Sequence, residues 1–256
     1  MSKVLPLFKS QYSLGRSILT LEKSENVEDN GPDSIVDIVQ KNDMKEALVV
    51  DDSMTGFLEA YKNFQDVKTK LIFGLRLTIC PELEEKSEES IKKSCKYIIL
   101  SKNTEGYKRL IKISSTAAKE GFYYHPRIDF KTLKDNWDNK DLILAVPFYD
   151  SFIFYNCLTT NICVPELDFT EPVFFEEDND LPFDDIVSSA MKDFTKDGSK
   201  YNTLKAQSIY YKNRQDFKAY LTFRCVNNRS TLDKPQLDHM GSDGFCFESW
   251  EGKNNE

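Results

Sequence analysis

Short apolar runs alternate with amphipathic stretches along most of the chain. Val4 to Phe8, Ala47-Leu48-Val49-Val50, Tyr97-Ile98-Ile99-Leu100 and Leu142-Ile143-Leu144-Ala145-Val146 are nearly unbroken hydrophobic segments, the pattern of strands covered on both faces. Between them the apolar positions change to helical spacing. Ser34 to Met44 predicts a helix with Ile35, Ile38 and Val39 on one face and Asp33 or Ser34 as its cap, and a second helix runs through Phe57, Ala60, Tyr61 and Phe64. A third presents Tyr107, Leu110, Ile111, Ser114 and Ala118, with Asn103 or Thr104 able to cap it and Gly121 just past its end. Phe183 to Phe194 predicts a helix with Ile186, Val187, Ala190 and Met191 inward, and Arg214 to Val226 one that presents Phe217, Tyr220, Leu221 and Arg224. Strand-helix alternation of this kind predicts an α/β fold with parallel strands and helical crossovers.

Two stretches fall outside the alternation. Residues 22–33 are polar and acidic with a Gly-Pro step, and residues 81–94 are densely charged; both read as surface loops of a single domain spanning residues 1–256. No run approaches the roughly 18 apolar residues of a membrane span, and MSKVLPLFKSQYS lacks the features of a signal peptide. The expected location is the cytoplasm of a cell or of an infected host.

Composition narrows the chemistry. The formal net charge of −8 repels polyanions, and no Lys/Arg-rich run with interleaved aromatics occurs, which disfavours direct nucleic-acid binding while leaving a local basic groove open. Cys80, Cys95, Cys157, Cys163, Cys225 and Cys246 form no CxxC pair and read as buried thiols of a reducing compartment. Only two histidines, His125 and His239, are present, and neither has the spacing of a Ser/His or Cys/His triad. The sequence Glu176 to Asp180 with Asp184-Asp185 lacks the glycine and terminal glutamate of a calcium loop and reads as a solvated acidic loop and helix start. Neither a GxGxxG nor a P-loop motif is found.

The longest ordered motif runs from Tyr97 to Asp129. Lys102-Asn103, Glu105-Gly106-Tyr107, Leu110, Lys112, Ser114-Ser115, Glu120-Gly121-Phe122-Tyr123-Tyr124 and Pro126-Arg127-Ile128-Asp129 resemble the PHP (polymerase and histidinol phosphatase) domain of bacterial C-family replicative DNA polymerases, the DNA polymerase III alpha subunits. Other segments resemble it too. Ser10, Tyr12, Ser13 and Leu14 match an opening H-x-H-S-x-Y-S-L-L-D-G; Asp51-Asp52-Ser53 stands at T-D-H; Leu71 to Arg76 resembles I-x-G-x-E; Pro172 to Asp178 resembles a Y-x-E strand; Ala206 to Tyr211 resembles A-T-N-D-V-H-Y; and Leu232 to Trp250 resembles the closing strand.

The resemblance implies a distorted seven-stranded β/α barrel with its site at the C-terminal strand ends. It also implies up to three divalent metals held by several histidines with Asp, Glu and sometimes Cys. This sequence departs from that ligand set. Leu7 and Lys9 stand for the first two histidines, Arg16 falls near an aspartate, Ser53 stands for a histidine, Arg76 for a glutamate, and Ser208 and Tyr210 for an aspartate and a histidine; Pro147 to Asp150 has no cysteine where many relatives have one. One of Asp51 and Asp52 is retained. His125, where the family often has lysine, reads as structural, and with Arg127 completes a vestigial pocket of Leu7, Lys9, Arg16, Asp51, Asp52, Ser53, Arg76, His125, Arg127, Ser208 and Tyr210. Three of the substitutions are basic and oppose cation binding, so no metal, cofactor or catalytic residue is expected. Lys9, Arg16 and Arg76 would either take the place of the lost metals by pairing with Asp51 or Asp52, or point to solvent at the barrel mouth.

The implied function is a catalytically degenerate PHP domain with a structural, protein-binding role in DNA replication, either an N-terminal fragment or a stand-alone descendant. Its implied partners are the rest of a replicative polymerase or its proofreading exonuclease. Two alternatives stay open: a metal-dependent phosphoesterase or 3′–5′ exonuclease with an irregular metal set, and a free-standing interaction protein on the same barrel.

Overall fold

Leu5–Phe8 extends because its alternate side chains, Leu7 and Phe8 among them, are both buried on opposite faces of a sheet. The structure, a computed structural model, describes residues 4–13, 15–196, 201–234 and 241–255. His239 and Leu14, singled out in the sequence, lie outside them. The described residues form β1 (Leu5–Phe8), α1 (Ile35–Lys41), β2 (Glu46–Asp51), α2 (Phe57–Phe64), β3 (Lys70–Cys80), α3 (Glu88–Lys92), β4 (Cys95–Ser101) and α4 (Thr104–Lys119). These are followed by β5 (Arg127–Asp129), α5 (Phe130–Asp135), β6 (Leu142–Val146), α6 (Phe152–Leu158), β7 (Val173–Glu176), α7 (Asp184–Thr195), β8 (Asn202–Ile209), α8 (Phe217–Asn228) and α9 (Phe247–Asn255). The fold class is α/β, a distorted seven-stranded β/α barrel, with the three-residue β5 as an additional strand beside β3.

The chain divides into two units. The first comprises residues 1–73, 177–181 and 205–256. In it β1 lies between β2 and β8 and is parallel to both, with Leu7 in register with Leu48 and Ser208. The Ser34 side chain caps α1 by accepting from the Asp37 N–H at 3.2 Å. The last segment departs from the expected closing strand. Phe245-Cys246-Phe247 alternates like a strand, but α9 begins at Phe247, because Phe247 and Trp250, one turn apart, pack together at 5.1 Å. Phe247 also stacks on Phe8 at 6.2 Å, and Trp250 Nε1 donates to the Val4 carbonyl at 2.9 Å.

The second unit comprises residues 74–176 and 182–204. Its strand order is β7-β6-β4-β3-β5. Here β4 is antiparallel to both β3 and β6, whereas β3–β5 and β6–β7 are parallel, so the uniformly parallel expectation fails at one strand. Residues 81–94 explain it. They are not wholly a loop: Ser87 caps the helix α3, and Leu83, Ser90 and Ser94 are buried. The Leu83 N–H donates to Asp129 Oδ2 at 3.0 Å, and the Glu85 carbonyl accepts from Arg127 at 3.0 Å. The segment is therefore held at the end where β3 finishes, and the chain can only run back alongside it.

Helix α4 also rotates relative to the expected stripe. Gly106, Leu110, Ile113 and Ala117 are buried, while Ile111 and Ala118 are exposed. Gly106 lies so close to the Asp141 carbonyl that a Cβ would come within 2.2 Å of its oxygen, and that approach sets the buried face. Asn103 is the cap, accepting from the Gly106 N–H at 2.9 Å. In α7 the buried positions are Asp184, Val187 and Met191, and Ile186 faces outward. Five cysteines are buried as expected, but Cys157 is exposed.

Candidate functional site

The C-terminal ends of β1, β2 and β8 present Lys9, Asp51 and Ser208. Lys9 follows the last residue of β1, and its N–H donates to the Ile209 carbonyl at 3.0 Å. Strand alternation places Lys9 on the same face as Leu7, and both are about 2% exposed. Asp51 closes β2 and is wholly buried. Its Oδ1 accepts from the Ser10 N–H at 2.9 Å and from Ser13 Oγ at 2.8 Å, and its Oδ2 accepts from Ser10 Oγ at 2.6 Å. Both carboxylate oxygens are thus occupied within the chain.

A second buried carboxylate belongs to the same unit. Glu177 Oε1 accepts from Ser208 Oγ at 2.9 Å, and Oε2 accepts from the Ser208 N–H at 2.7 Å and from Asn179 Nδ2 at 3.2 Å. Burial pushes both carboxyls up from their ordinary values; the hydrogen bonds and the positive charge of Lys9 pull each of them back. One buried ammonium therefore acts on two buried carboxylates.

The remaining expected residues are dispersed around different partners. Arg16 Nε pairs with Asp52 Oδ2 at 3.6 Å, in line with the expected pairing. Ser53 is partly exposed and its Oγ lies 3.1 Å from Thr55 Oγ1. Tyr210 is buried against Phe245 and Tyr220, and its carbonyl accepts from Ser17 Oγ at 2.9 Å, so it serves packing.

In the second unit, Arg76 is interior to β3, which continues four residues beyond it to Cys80, and its guanidinium pairs with Asp150. This partner differs from the expected Asp51 or Asp52. Asp150 is reached because the β6–α6 turn places it, at φ 61°, with its carbonyl accepting from the Lys96 N–H at 2.8 Å. Arg127 is wholly buried and donates to the Gly121 carbonyl, Ser90 Oγ and the Glu85 carbonyl at 3.1, 2.8 and 3.0 Å. It braces α4, α3 and the segment between β3 and α3. His125 is partly buried near Lys96 and Arg127, and its burial and these two charges pull the imidazole down to about 4.

The acidic stretch, expected to be solvated throughout, is so only in part. Asp178, Asp180 and Asp185 are exposed, but Glu177, Asn179 and Asp184 are buried, with Asp184 accepting from the Tyr149 hydroxyl at 3.1 Å. The signal for Glu177 was present in Phe175-Glu176-Glu177, the Y-x-E-like pattern.

Residues 28–159, a little over half of the chain, match the PHP domain. The chain belongs to the PHP domain family. Curated relatives are named DNA polymerase III subunit alpha. That of Chlamydia muridarum is 36% identical over 92 residues, covering 35% of this chain and 7% of the relative. The Helicobacter pylori protein is 32% identical over 124 residues, covering 48% and 10%. The Thermus aquaticus protein is 25% identical over 212 residues, covering 78% and 17%. The matched stretches therefore span less than a fifth of each relative's length. No helix among the described residues is long and apolar enough to cross a membrane.

The described residues at these strand ends do not present the divalent-metal ligand set that the resemblance implies. Among the described residues no group of three or more His, Cys, Asp or Glu could hold a metal ion. The two buried carboxylates have their oxygens taken by serine hydroxyls and backbone N–H groups, and the ammonium of Lys9 adds positive charge beside them.

Proposed function

We propose that this PHP domain is a framework and protein-binding module of DNA replication with no phosphoesterase chemistry of its own. Hydrolysis by such a site needs cations to polarise the phosphate and generate hydroxide near neutral pH. The observation that carries the reading is the buried Lys9 beside Asp51 and Glu177. A buried ammonium whose charge acts on these carboxylates raises the electrostatic cost of adding a divalent ion there. The names of the relatives support a polymerase context, in which the partner would be the remainder of a replicative polymerase or its proofreading exonuclease. The net charge of −8 supports protein over nucleic acid as the direct contact, and the largely buried thiols suit the cytoplasm of a cell or an infected host.

The test is hydrolysis of a bis-aryl phosphodiester and of 3′-labelled single-stranded DNA by the purified chain, with Mn²⁺ or Zn²⁺ and with chelator. The expected result is no metal-dependent product. Metal-dependent hydrolysis that disappears in Asp51→Asn would overturn the reading in favour of an irregular metal hydrolase. Co-migration with a replicative polymerase lacking its own PHP domain, or with the exonuclease, in gel filtration tests the partner.

A further inference from the structure

We propose that Ile162-Cys163-Val164, between α6 and β7, is an open strand edge that takes an extended segment of a partner protein in which apolar residues alternate with Lys or Arg. This rests on the reading above, that the domain binds protein, and names the surface and the chemistry it selects.

Three features of the second unit carry the inference. The first is a clamp on Cys163. Its N–H donates to Asn156 Oδ1 at 2.8 Å, and its carbonyl accepts from Asn156 Nδ2 at 2.9 Å. A residue whose N–H and carbonyl both reach one carboxamide holds them side by side, as an extended chain does, so the Asn156 side chain on α6 stands in for a neighbouring strand. The Cys163 thiol donates to the Ser94 carbonyl at 3.4 Å, and the residue is 2% exposed, which fixes the stretch from inside.

The second feature is what the clamp leaves outside. In an extended chain the backbone groups of adjacent residues point to opposite sides, so those of Ile162 and Val164 face away from Asn156. Among the described residues none of these groups has a hydrogen-bond partner. Their side chains are 69% and 74% exposed. Two donors and two acceptors beside two apolar side chains are what an added antiparallel strand requires.

The third feature is charge. Residues 159–172 contain Glu166, Asp168 and Glu171 and no Lys or Arg. Glu166 and Asp168 share Lys134 at 2.9 and 3.0 Å, yet their side chains stay 55% and 79% exposed. Next to Val164 a cavity of about 360 Å³ is lined by Pro165, Glu166, Leu167, Asp168, Phe194 and Tyr201, and the Phe194 and Tyr201 rings stack at 5.6 Å. Aromatic rings beside carboxylates suit a Lys or Arg side chain, whose stem packs on the rings while its charge meets the acids.

The experiment follows fluorescence anisotropy of a labelled heptapeptide of alternating valine and lysine titrated with the purified chain. Two further versions are N-methylated, one at the valines and one at the lysines. Residues directly opposed in a ladder share a face, so valines beside Ile162 and Val164 bring their own N–H groups to the edge. Wild type is expected to bind the parent and the lysine-methylated peptide, and to lose the valine-methylated one. Val164→Pro removes an outward N–H, and Ile162→Lys sets a like charge against the peptide; each should weaken binding roughly tenfold or more with the thermal midpoint nearly unchanged. Where Val164→Pro does not fold, Ile162→Lys decides. No binding by wild type, equal affinity for the two methylated peptides, or unchanged binding by Ile162→Lys overturns the inference. A dimer of the chain alone in sedimentation velocity that Ile162→Lys dissociates also overturns it, by giving the edge to a second copy. Co-migration with the polymerase or exonuclease separates this inference from the reading it rests on: wild-type co-migration without peptide binding overturns the edge alone, and peptide binding without co-migration supports the edge and overturns the replication partner.

Discussion

Arg127 and Gly121 are locked together through side chain and backbone at once. The guanidinium Nε donates to the Gly121 carbonyl at 3.1 Å, and a Cβ on Gly121 would come within 1.9 Å of the Arg127 carbonyl oxygen. Gly121 is thus required by close approach of two backbones. Gly121→Ala is expected to destabilise the domain by roughly 2 kcal/mol or more, since backbone must move to admit the methyl. Arg127→Met should cost about 3 kcal/mol by leaving the Glu85 and Gly121 carbonyls unpaired, and Arg127→Lys should recover little because an ammonium lacks the planar fork. Urea unfolding midpoints check both; a wild-type midpoint for Gly121→Ala would refute the close-approach account.

The same region shows which parts of the structure could be read in the sequence. The strands β1, β2, β4 and β6 and the caps Ser34 and Asn103 follow from local patterns, because a doubly buried strand and an N-cap depend on a few adjacent residues. The direction of β4 does not, since it depends on where residues 81–94 are tied down, through Leu83, Glu85 and Ser90 to Asp129 and Arg127. The pattern points one position away from the true face of α4, because the large Tyr107 outweighs the adjacent Gly106, whose lack of a side chain is what lets the helix approach Asp141. At the site, motif positions located Lys9, Asp51 and Ser208. The partners of Arg76 and Ser208, namely Asp150 and Glu177, are 74 and 31 residues away and are brought near only by the sheet.

Arg76 and Asp150 form a buried pair, 4% and 7% exposed, with the Tyr155 hydroxyl 3.3 Å from Asp150 Oδ1. Removing one partner leaves a buried charge without its counterion, so Asp150→Ala should cost roughly 3–5 kcal/mol. Asp150→Asn tests charge alone, because asparagine tolerates the positive φ of 61°. The double variant Arg76→Met/Asp150→Asn should be more stable than Asp150→Asn. Chemical denaturation of wild type, Arg76→Met, Asp150→Asn and the double variant gives the coupling energy, and strict additivity would exclude the pair as a stability determinant.

His125 makes stability depend on acid. Burial first, then Lys96 and Arg127, lower its folded-state value from 6.5 to about 4. Between about 6.5 and 4 the unfolded chain therefore binds more protons at this position than the folded one. Its contribution is unimpaired above the unfolded value, declines as pH falls through the window, and levels off below about 4. His125→Gln should lose stability less steeply than wild type over that interval. Parallel slopes in urea titrations at pH 7, 6, 5 and 4.5 would exclude His125 as the source.

Ser208 is the position at which restoring the family's residue should do most harm. Its N–H and hydroxyl both donate to Glu177, at 2.7 and 2.9 Å, in a pocket where Glu177 is 3% exposed. Ser208→Asp replaces the hydroxyl donor with a second carboxylate, and the single Lys9 ammonium would then face three buried acids. Like charges in so dry a site repel strongly and shed charge by taking up protons. The expected loss is about 3 kcal/mol or more at neutral pH, shrinking as the pH falls toward 5 and protonation removes the repulsion. Ser208→Asn keeps a donor and adds no charge, so it should cost only about 1 kcal/mol and show no such recovery. Thermal melts of both variants at pH 7.5 and pH 5 separate charge from shape. If Ser208→Asp melts with Ser208→Asn at both pH values, the carboxylate is reaching solvent, and the account of this pocket as a closed, charge-balanced cluster fails.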